Sequence, residues 1–319
     1  MIPVLIVGYK RVIELQNLAE SCISQGAEKI YIAIDGNRQG EPSVIKKFKQ
    51  LLIELKKNAP KVEIYTWIRH ENLGSAASVI TAIDWALKYE NEIAILEDDL
   101  IISDQLLEYL TVNMKSLTVE KLMITGTNVF ENQSLIKRTG KTHFPVVWGW
   151  ATSNQNWQRM RQGIFSPELS YQKSTKRRVR SFLETGRIRA QKRQIDAWDV
   201  PLAAWMYANS YLCLVPSTNL VSNRGFGESA THTAFDKWPL NLSINSIIQI
   251  EESWNDDSQV CNFDDDMIKN VLKIRIKHAV SKELAIIKSV INSSNTNPQK
   301  LKNFIDSVEI PSIEKGESK

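Results

Sequence analysis

Apolar positions along the first hundred residues alternate between two rhythms. Pro3 to Val7 is a short apolar run closed by Gly8. From Arg11 to Ser24, Val12, Leu15, Leu18, Ala19 and Cys22 recur at helical spacing. Lys29 to Ile34 reads as a strand and ends at Asp35-Gly36. Ser43 to Asn58 predicts a basic amphipathic helix that Pro60 closes, and Val62 to Trp67 a third strand. Ser75 to Tyr89 predicts a helix with Val79, Ile83, Ala86 and Leu87 on one side. Ile93 to Leu96 is a fourth strand that runs straight into Glu97-Asp98-Asp99. This alternation predicts an α/β fold: a Rossmann-like, mostly parallel central sheet flanked by helices.

The rhythm then changes. Asp104 to Met114 and Asp199 to Ala208 read as helices, and Leu122 to Thr125 and Tyr211 to Val215 as strands. Pro145 to Trp157 is crowded with tryptophan, and Ser170 to Gln194 carries nine basic side chains and one acid. Asn219 to Thr233 is loop-like. Met267 to Ile291 predicts a helix, Ser293 to Pro298 a loop or linker, and the last dozen residues a mobile end.

Composition narrows the classes. The chain has 319 residues, 43% hydrophobic and 24% charged, enough to bury a core. Its formal net charge of +4 argues against a global nucleic-acid binder. The three cysteines, Cys22, Cys213 and Cys261, form neither a disulfide framework nor a zinc motif. Reduced thiols and a first segment that reads as a strand, not a leader, lead us to expect a cytoplasmic protein. No run reaches the roughly 18 apolar residues of a membrane span.

Ligands of open α/β sheets collect at the carboxyl ends of the strands. Gly8 to Arg11, Asp35-Gly36, Arg69 to Gly74 and Glu97-Asp98-Asp99 all fall at such ends. The acidic triplet can offer hard oxygen ligands to Mn²⁺ or Mg²⁺. The alternative is an acidic cluster favoured by a helix dipole. Asn72 is placed to cap the following helix, and Gly74 to let backbone approach a ligand. Further on, an indole such as Trp150 can stack on a sugar face, or belong to a Trp-rich core. Asp199 and Asp196 are acids suited to proton transfer; Asp199 equally suits a helix cap.

Pro3 to Arg11, Asp35-Gly36, Asn72 to Gly74 and Leu96 to Leu100 together resemble the donor half of GT-A glycosyltransferases. The likeness is to the N-glycan mannoside β-1,2-N-acetylglucosaminyltransferase family and to bacterial surface-polysaccharide sugar transferases, over roughly residues 1 to 235. It implies a metal-dependent hexosyl- or N-acetylhexosaminyltransferase with Mn²⁺ or Mg²⁺, a UDP-sugar donor, and a glycan or lipid-linked saccharide acceptor. Residues 1–125 would form the donor-binding half, 126–255 the acceptor and catalytic half, and 256–319 a helical extension with a mobile end.

The resemblance also implies roles. Asp99 would ligate the metal, and Asp98 would orient the ribose or a metal-bound water. Glu97 would lie near the donor sugar or ribose. Val7 and Arg11 would contact the donor, Arg11 at its phosphates, and Asp35 would accept a hydrogen bond from the base. Asn72 and Gly74 would border the ribose or phosphate, and Trp150 in Gly149-Trp150 would line the sugar pocket. Asp199, or else Asp196, would be the base of an inverting displacement. The family's Trp-Asp-Asp-Trp-like segment reads Trp198-Asp199-Val200-Pro201 here, so the second acid and second indole are missing. His232 would sit near the metal and Arg224 near the diphosphate. Lys173 to Arg193 offers an acceptor-side or inner-membrane-facing basic patch.

Two other readings stay open: a sugar-phosphate nucleotidyltransferase and a non-enzymatic carbohydrate-binding protein. A dinucleotide dehydrogenase is disfavoured, because no Gly-x-Gly-x-x-Gly follows the first strand.

Overall fold

Strand β1 (Val4–Gly8) sends alternate side chains into two cores: Val4 and Ile6 into one, Leu5 and Val7 into the other. The computed structural model describes residues 1–37, 42–128, 139–173, 175, 177–194, 196–225, 261–262, 264 and 298–313. The first half alternates as expected: α1 (Val12–Ser24), β2 (Lys29–Ile34), α2 (Pro42–Asn58), β3 (Glu63–Ile68), α3 (Ser75–Leu87) and β4 (Glu92–Glu97). β5 (Leu100–Ile102), α4 (Leu106–Asn113) and β6 (Lys121–Thr125) follow. Next come β7 (Gly140–Thr142), β8 (Trp150–Ser153), α5 (Asn154–Ile164), α6 (Arg177–Gln191) and α7 (Asp199–Ala208). β9 (Leu212–Val215), β10 (Val221–Asn223), β11 (Cys261–Asn262) and α8 (Pro298–Asp306) complete the described strands and α-helices.

Nine strands form one sheet in the order β11-β7-β9-β6-β8-β4-β1-β2-β3. β1, β2, β3 and β4 pair in parallel. β8 inserts antiparallel between β4 and β6, and β9 pairs parallel with β6. The expected Rossmann-like, mostly parallel sheet flanked by helices is therefore present. α1 and α2 cover one face through Leu15, Leu18, Phe48 and Leu51. α3, α5, α7 and α8 cover the other through Ile80, Ile83, Trp157, Leu202 and Leu301. A separate two-stranded ribbon pairs β5 with β10 and folds the chain after β9 back over the end of β4.

The Trp-rich segment holds β8 and the start of α5, whose N-terminus Ser153 caps by accepting Asn156 N–H. At the far end, Ile310 and Ile313 pack on the α3-side core, and Ile313 N–H donates to the Tyr89 hydroxyl at 2.9 Å. That stretch of the expected mobile end is thus anchored. The expected helix Met267–Ile291 lies outside the described residues.

Candidate active site

The carboxyl ends of β1, β2 and β4 open into a cavity of about 370 Å³. This is within the size range of small-molecule sites. Val7, Arg11, Asp35, Asn72, Gly74, Glu97, Asp98, Asp99, Asp196 and Asp199 all line it. The fold thus brings together residues separated by nearly two hundred positions.

The acidic triplet divides into different jobs. Asp98 N–H donates to the Val7 carbonyl at 2.9 Å, which continues the β4–β1 pairing past the strand end. The Asp98 carboxylate turns toward the β1–α1 turn: Oδ2 accepts Tyr9 N–H at 2.8 Å and Oδ1 accepts Arg11 Nη1 at 2.9 Å. Only 4% exposed, Asp98 holds the turn that carries Arg11 and also lines the cavity. Burial raises its pKa, and Arg11 and the Tyr9 amide pull it back.

Asp99 is different. Arg11 Nη1 reaches its Oδ2 at 3.3 Å, but Oδ1 is buried with no hydrogen-bond partner among the described residues. Burial and the neighbouring Asp98 push Asp99 up to about 6. Glu97 is raised well above its ordinary value by burial, then by Asp99, Asp199 and Asp98. Burial works against the Arg11 charge, yet Asp98 and Asp99 hold its pKa above the ordinary value. Three carboxyl groups crowd one guanidinium here, and the Asp99 oxygen without a partner among the described residues is suited to accept a cation.

The ribbon strand β10 closes over this point. Arg224 N–H donates to the Asp99 carbonyl at 2.8 Å, and a Cβ on Gly225 would come within 2.1 Å of Asp99 Oδ2. Glycine keeps that approach open. Asn223 Oδ1 accepts Gly225 N–H at 2.6 Å and also lines the cavity. The Arg224 side chain itself is exposed and outside the lining, a correction to its expected phosphate role. Its contribution here is the backbone. His232 lies outside the described residues.

Asp35 is 4% exposed, and its carboxylate already accepts Gly36, Leu73 and Gly74 N–H and Asn72 Nδ2. It fastens the β2 exit to the loop before α3. Burial raises its pKa against those bonds and Arg69. Asn72 also donates to the Gly36 carbonyl, so it ties loops together and does not cap α3.

The cap comes from far away in sequence. Asp196 Oδ2 accepts Ser75 N–H at 2.6 Å and Oδ1 accepts Ala76 N–H at 3.0 Å. Gly74 makes this fit: at φ +82° it adopts the left-handed region, and a Cβ there would sit 2.5 Å from Asp196 Oδ2. Both Asp196 oxygens are committed to α3, so Asp196 is a bridge from the segment before α7 to the α3 N-terminus; Asp199 is the first residue of α7. We expect Asp196→Ala to lower folding stability by about 1–2 kcal/mol, read from the denaturant midpoint. Asp196→Asn keeps one acceptor oxygen and is expected to lose about half as much. An Ala variant as stable as wild type would refute the bridge.

Trp150 needs correction. It is 0% exposed and lies against Trp198, ring centroids 5.7 Å apart and nearly parallel, with Trp157 beside them. No face is left for a sugar. Gly149 likewise turns its open side to Val221, Leu106 and Leu96. Trp148 and Val147 line the cavity instead. The Trp150–Trp198 stack positions Asp199, because Trp198 is the N-cap residue of α7 and Asp199 its first residue.

Within the basic stretch, Arg187 is the one buried cation among the described side chains, and Lys173, Arg177, Arg180 and Arg193 stay exposed. Arg187, 4% exposed, donates to Glu184, Ser166 O, Pro167 O and Gln191. Arg180 lies over the Tyr171 ring and Arg193 over Phe304.

No family model matches this chain, and no curated protein matches it. Many solved structures resemble it in layout. One is a mannosyltransferase from Pyrobaculum calidifontis solved with GDP-Man and Mn²⁺. It is 10% identical, covering 65% of this chain and 68% of that one, with a TM-score of 0.40. Another is glucosyl-3-phosphoglycerate synthase from Mycobacterium tuberculosis with Mn²⁺ and UDP: 8% identity, 53% and 60% coverage, TM-score 0.31. A UDP-glucose pyrophosphorylase solved with UDP-glucose gives 10% identity, 68% and 90% coverage and a TM-score of 0.36. The N-glycan N-acetylglucosaminyltransferase family does not appear through a family match. These are likenesses of fold at low identity, and the chemistry rests on the cavity's own residues.

Proposed function

We propose that the protein is a metal-dependent glycosyltransferase that moves a hexosyl or N-acetylhexosaminyl group from a nucleoside diphosphate, UDP by resemblance, to a saccharide or lipid-linked saccharide. One observation carries this reading: a single cavity is lined both by the Arg11–Asp98–Asp99 cluster, with its orphaned Asp99 oxygen, and by Asp199.

A hard divalent ion is held by one or two carboxylates plus the substrate's own phosphates. Asp99 fits that role. Among the described residues, no group of three or more His, Cys, Asp and Glu is arranged to hold an ion alone. When bound, the ion supplies positive charge against the leaving diphosphate. Arg11 donates to the same phosphates. Asp35 and Asn72 hold the β2 and β3 exits that border the nucleoside. In the transfer, the acceptor oxygen forms a bond to the anomeric carbon and the carbon–phosphate oxygen bond breaks. Its electron pair leaves with the nucleoside diphosphate, and the acceptor proton passes to an Asp199 oxygen. A single displacement of this kind inverts the anomeric configuration.

The test is a panel of nucleotide sugars with Mn²⁺ and a saccharide acceptor set, with and without EDTA. We expect release of nucleoside diphosphate from one donor, abolished by EDTA. Absence of both binding and release with every donor would overturn the reading. Formation of pyrophosphate from a nucleoside triphosphate and a sugar phosphate would instead favour nucleotidyl transfer.

A further inference from the structure

Helix α2 carries a surface that the cavity chemistry does not use. Residues 42–61 hold six lysines against one acid, Glu54, an excess greater than the +4 of the whole chain. The helix's inner side is apolar, with Phe48, Leu51, Leu52 and Leu55 buried in the α1-side core. At about 100° per residue, Lys46, Lys49, Lys56 and Lys57 fall within an arc of about 100° on the outer side. Ile53 falls in the middle of that arc and Glu54 outside it. All four lysines are exposed, and Ile53 is 69% exposed. Lys47 and Lys61 flank the strip and are exposed too.

The strip's chemistry selects among anionic surfaces. Lysine is a hydrated point charge on a flexible stem, suited to a field of mobile phosphates; arginine's planar fork suits fixed ones. No arginine and no exposed aromatic lies on this helix, so the stacking and bidentate contacts of nucleic-acid binders are missing. An exposed isoleucine ringed by lysines matches the layout of interfacial helices. There the apolar residue enters between headgroups and the ammonium groups stay at their phosphates. The expected membrane-facing patch of residues 173–193 is the weaker candidate: it keeps Lys173, Arg177, Arg180 and Arg193 exposed, but among the described residues no exposed large apolar side chain stands between them.

We propose that the α2 strip docks the protein on an anionic lipid bilayer. α2 follows β2, whose carboxyl end borders the cavity through Asp35. The inference stands apart from the sugar-transfer reading.

The test is flotation of the full-length chain with phosphatidylcholine vesicles, with and without phosphatidylglycerol. We expect capture only on the anionic vesicles, lost as salt rises. Lys49→Glu combined with Lys56→Glu is expected to cut the bound fraction by at least about tenfold, with the unfolding midpoint unchanged. Ile53→Ser is expected to weaken capture severalfold. Arg177→Glu with Arg180→Glu, on α6, is expected to leave capture unchanged. Equal capture on neutral vesicles, or undiminished capture of the α2 double variant, would overturn the proposal. So would stronger retention on a DNA duplex that the same variant abolishes.

Discussion

Replacing Asp99 by asparagine is expected to abolish metal-dependent donor turnover, by at least about 10³-fold, while the fold survives. The two halves of this expectation have separate causes. Asp99 Oδ1 is a buried carboxylate oxygen without a hydrogen-bond partner among the described residues, so it has much to gain from a cation. An amide keeps the shape and removes the charge that a hard ion needs. Arg11 retains its closer partner, Asp98 Oδ1 at 2.9 Å, and the β1–α1 turn keeps the Tyr9 N–H bond. Glu97 is raised by burial and then chiefly by Asp99, so removing that charge relieves crowding in the metal-free protein. The unfolding midpoint in EDTA is therefore expected to stay level or rise. Isothermal titration with Mn²⁺, donor turnover and thermal unfolding check the three parts. Full activity in the variant, or Mn²⁺ binding of wild-type strength, would remove Asp99 from the metal site.

The same cluster shows what the chain's pattern reveals and what it hides. Buried parallel strands read as apolar runs, and Lys29–Ile34 and Asp199–Ala208 match their expected bounds because apolar spacing and flanking breakers coincide there. β8 was hidden in the Trp-rich segment. Its alternation is too short to stand out, and its antiparallel insertion between β4 and β6 is a tertiary fact. α6 was hidden by its charge, since Arg187 belongs inside and no local signal distinguishes it from Arg180. Strand exits marked the wall of the cavity at the ends of β1, β2 and β4, because topology alone sends them to one edge. The roles within it were less legible. That Asp98 faces a turn, Asp35 faces a loop and Asp196 caps α3 depends on contacts as distant as 121 positions. Trp148 and Trp150 sit two residues apart and go to opposite fates, one lining the cavity and one in the core. Asn223 and Gly225 carried a signal in their loop-like, glycine-containing sequence, but only the β5–β10 pairing brings them over Asp99.

Asp199→Asn is the sharpest separation of chemistry from scaffold. It is expected to lower turnover by about 10²–10⁴-fold with donor and Mn²⁺ binding close to wild type. The substitution is isosteric at the first residue of α7, and the Trp198 stack on Trp150 that fixes the helix start is untouched. Loss of one negative charge in the first helical turn costs about 0.3–1 kcal/mol, partly offset by relief of its repulsion with Glu97. An Asp199 that serves only the charge of the first helical turn would therefore show a stability change and little loss of rate. A catalytic Asp199 shows the reverse, a fall in kcat with KM for the donor held. Asp196→Asn is the internal contrast, since its carboxylate is occupied by the Ser75 and Ala76 amides and its loss is read first in stability. The anomeric configuration of the product, followed by NMR during wild-type turnover, completes the argument. An inverted product agrees with one displacement in which Asp199 takes the acceptor proton. A retained product would exclude that single step and, with it, the role of Asp199 as the base in a direct displacement.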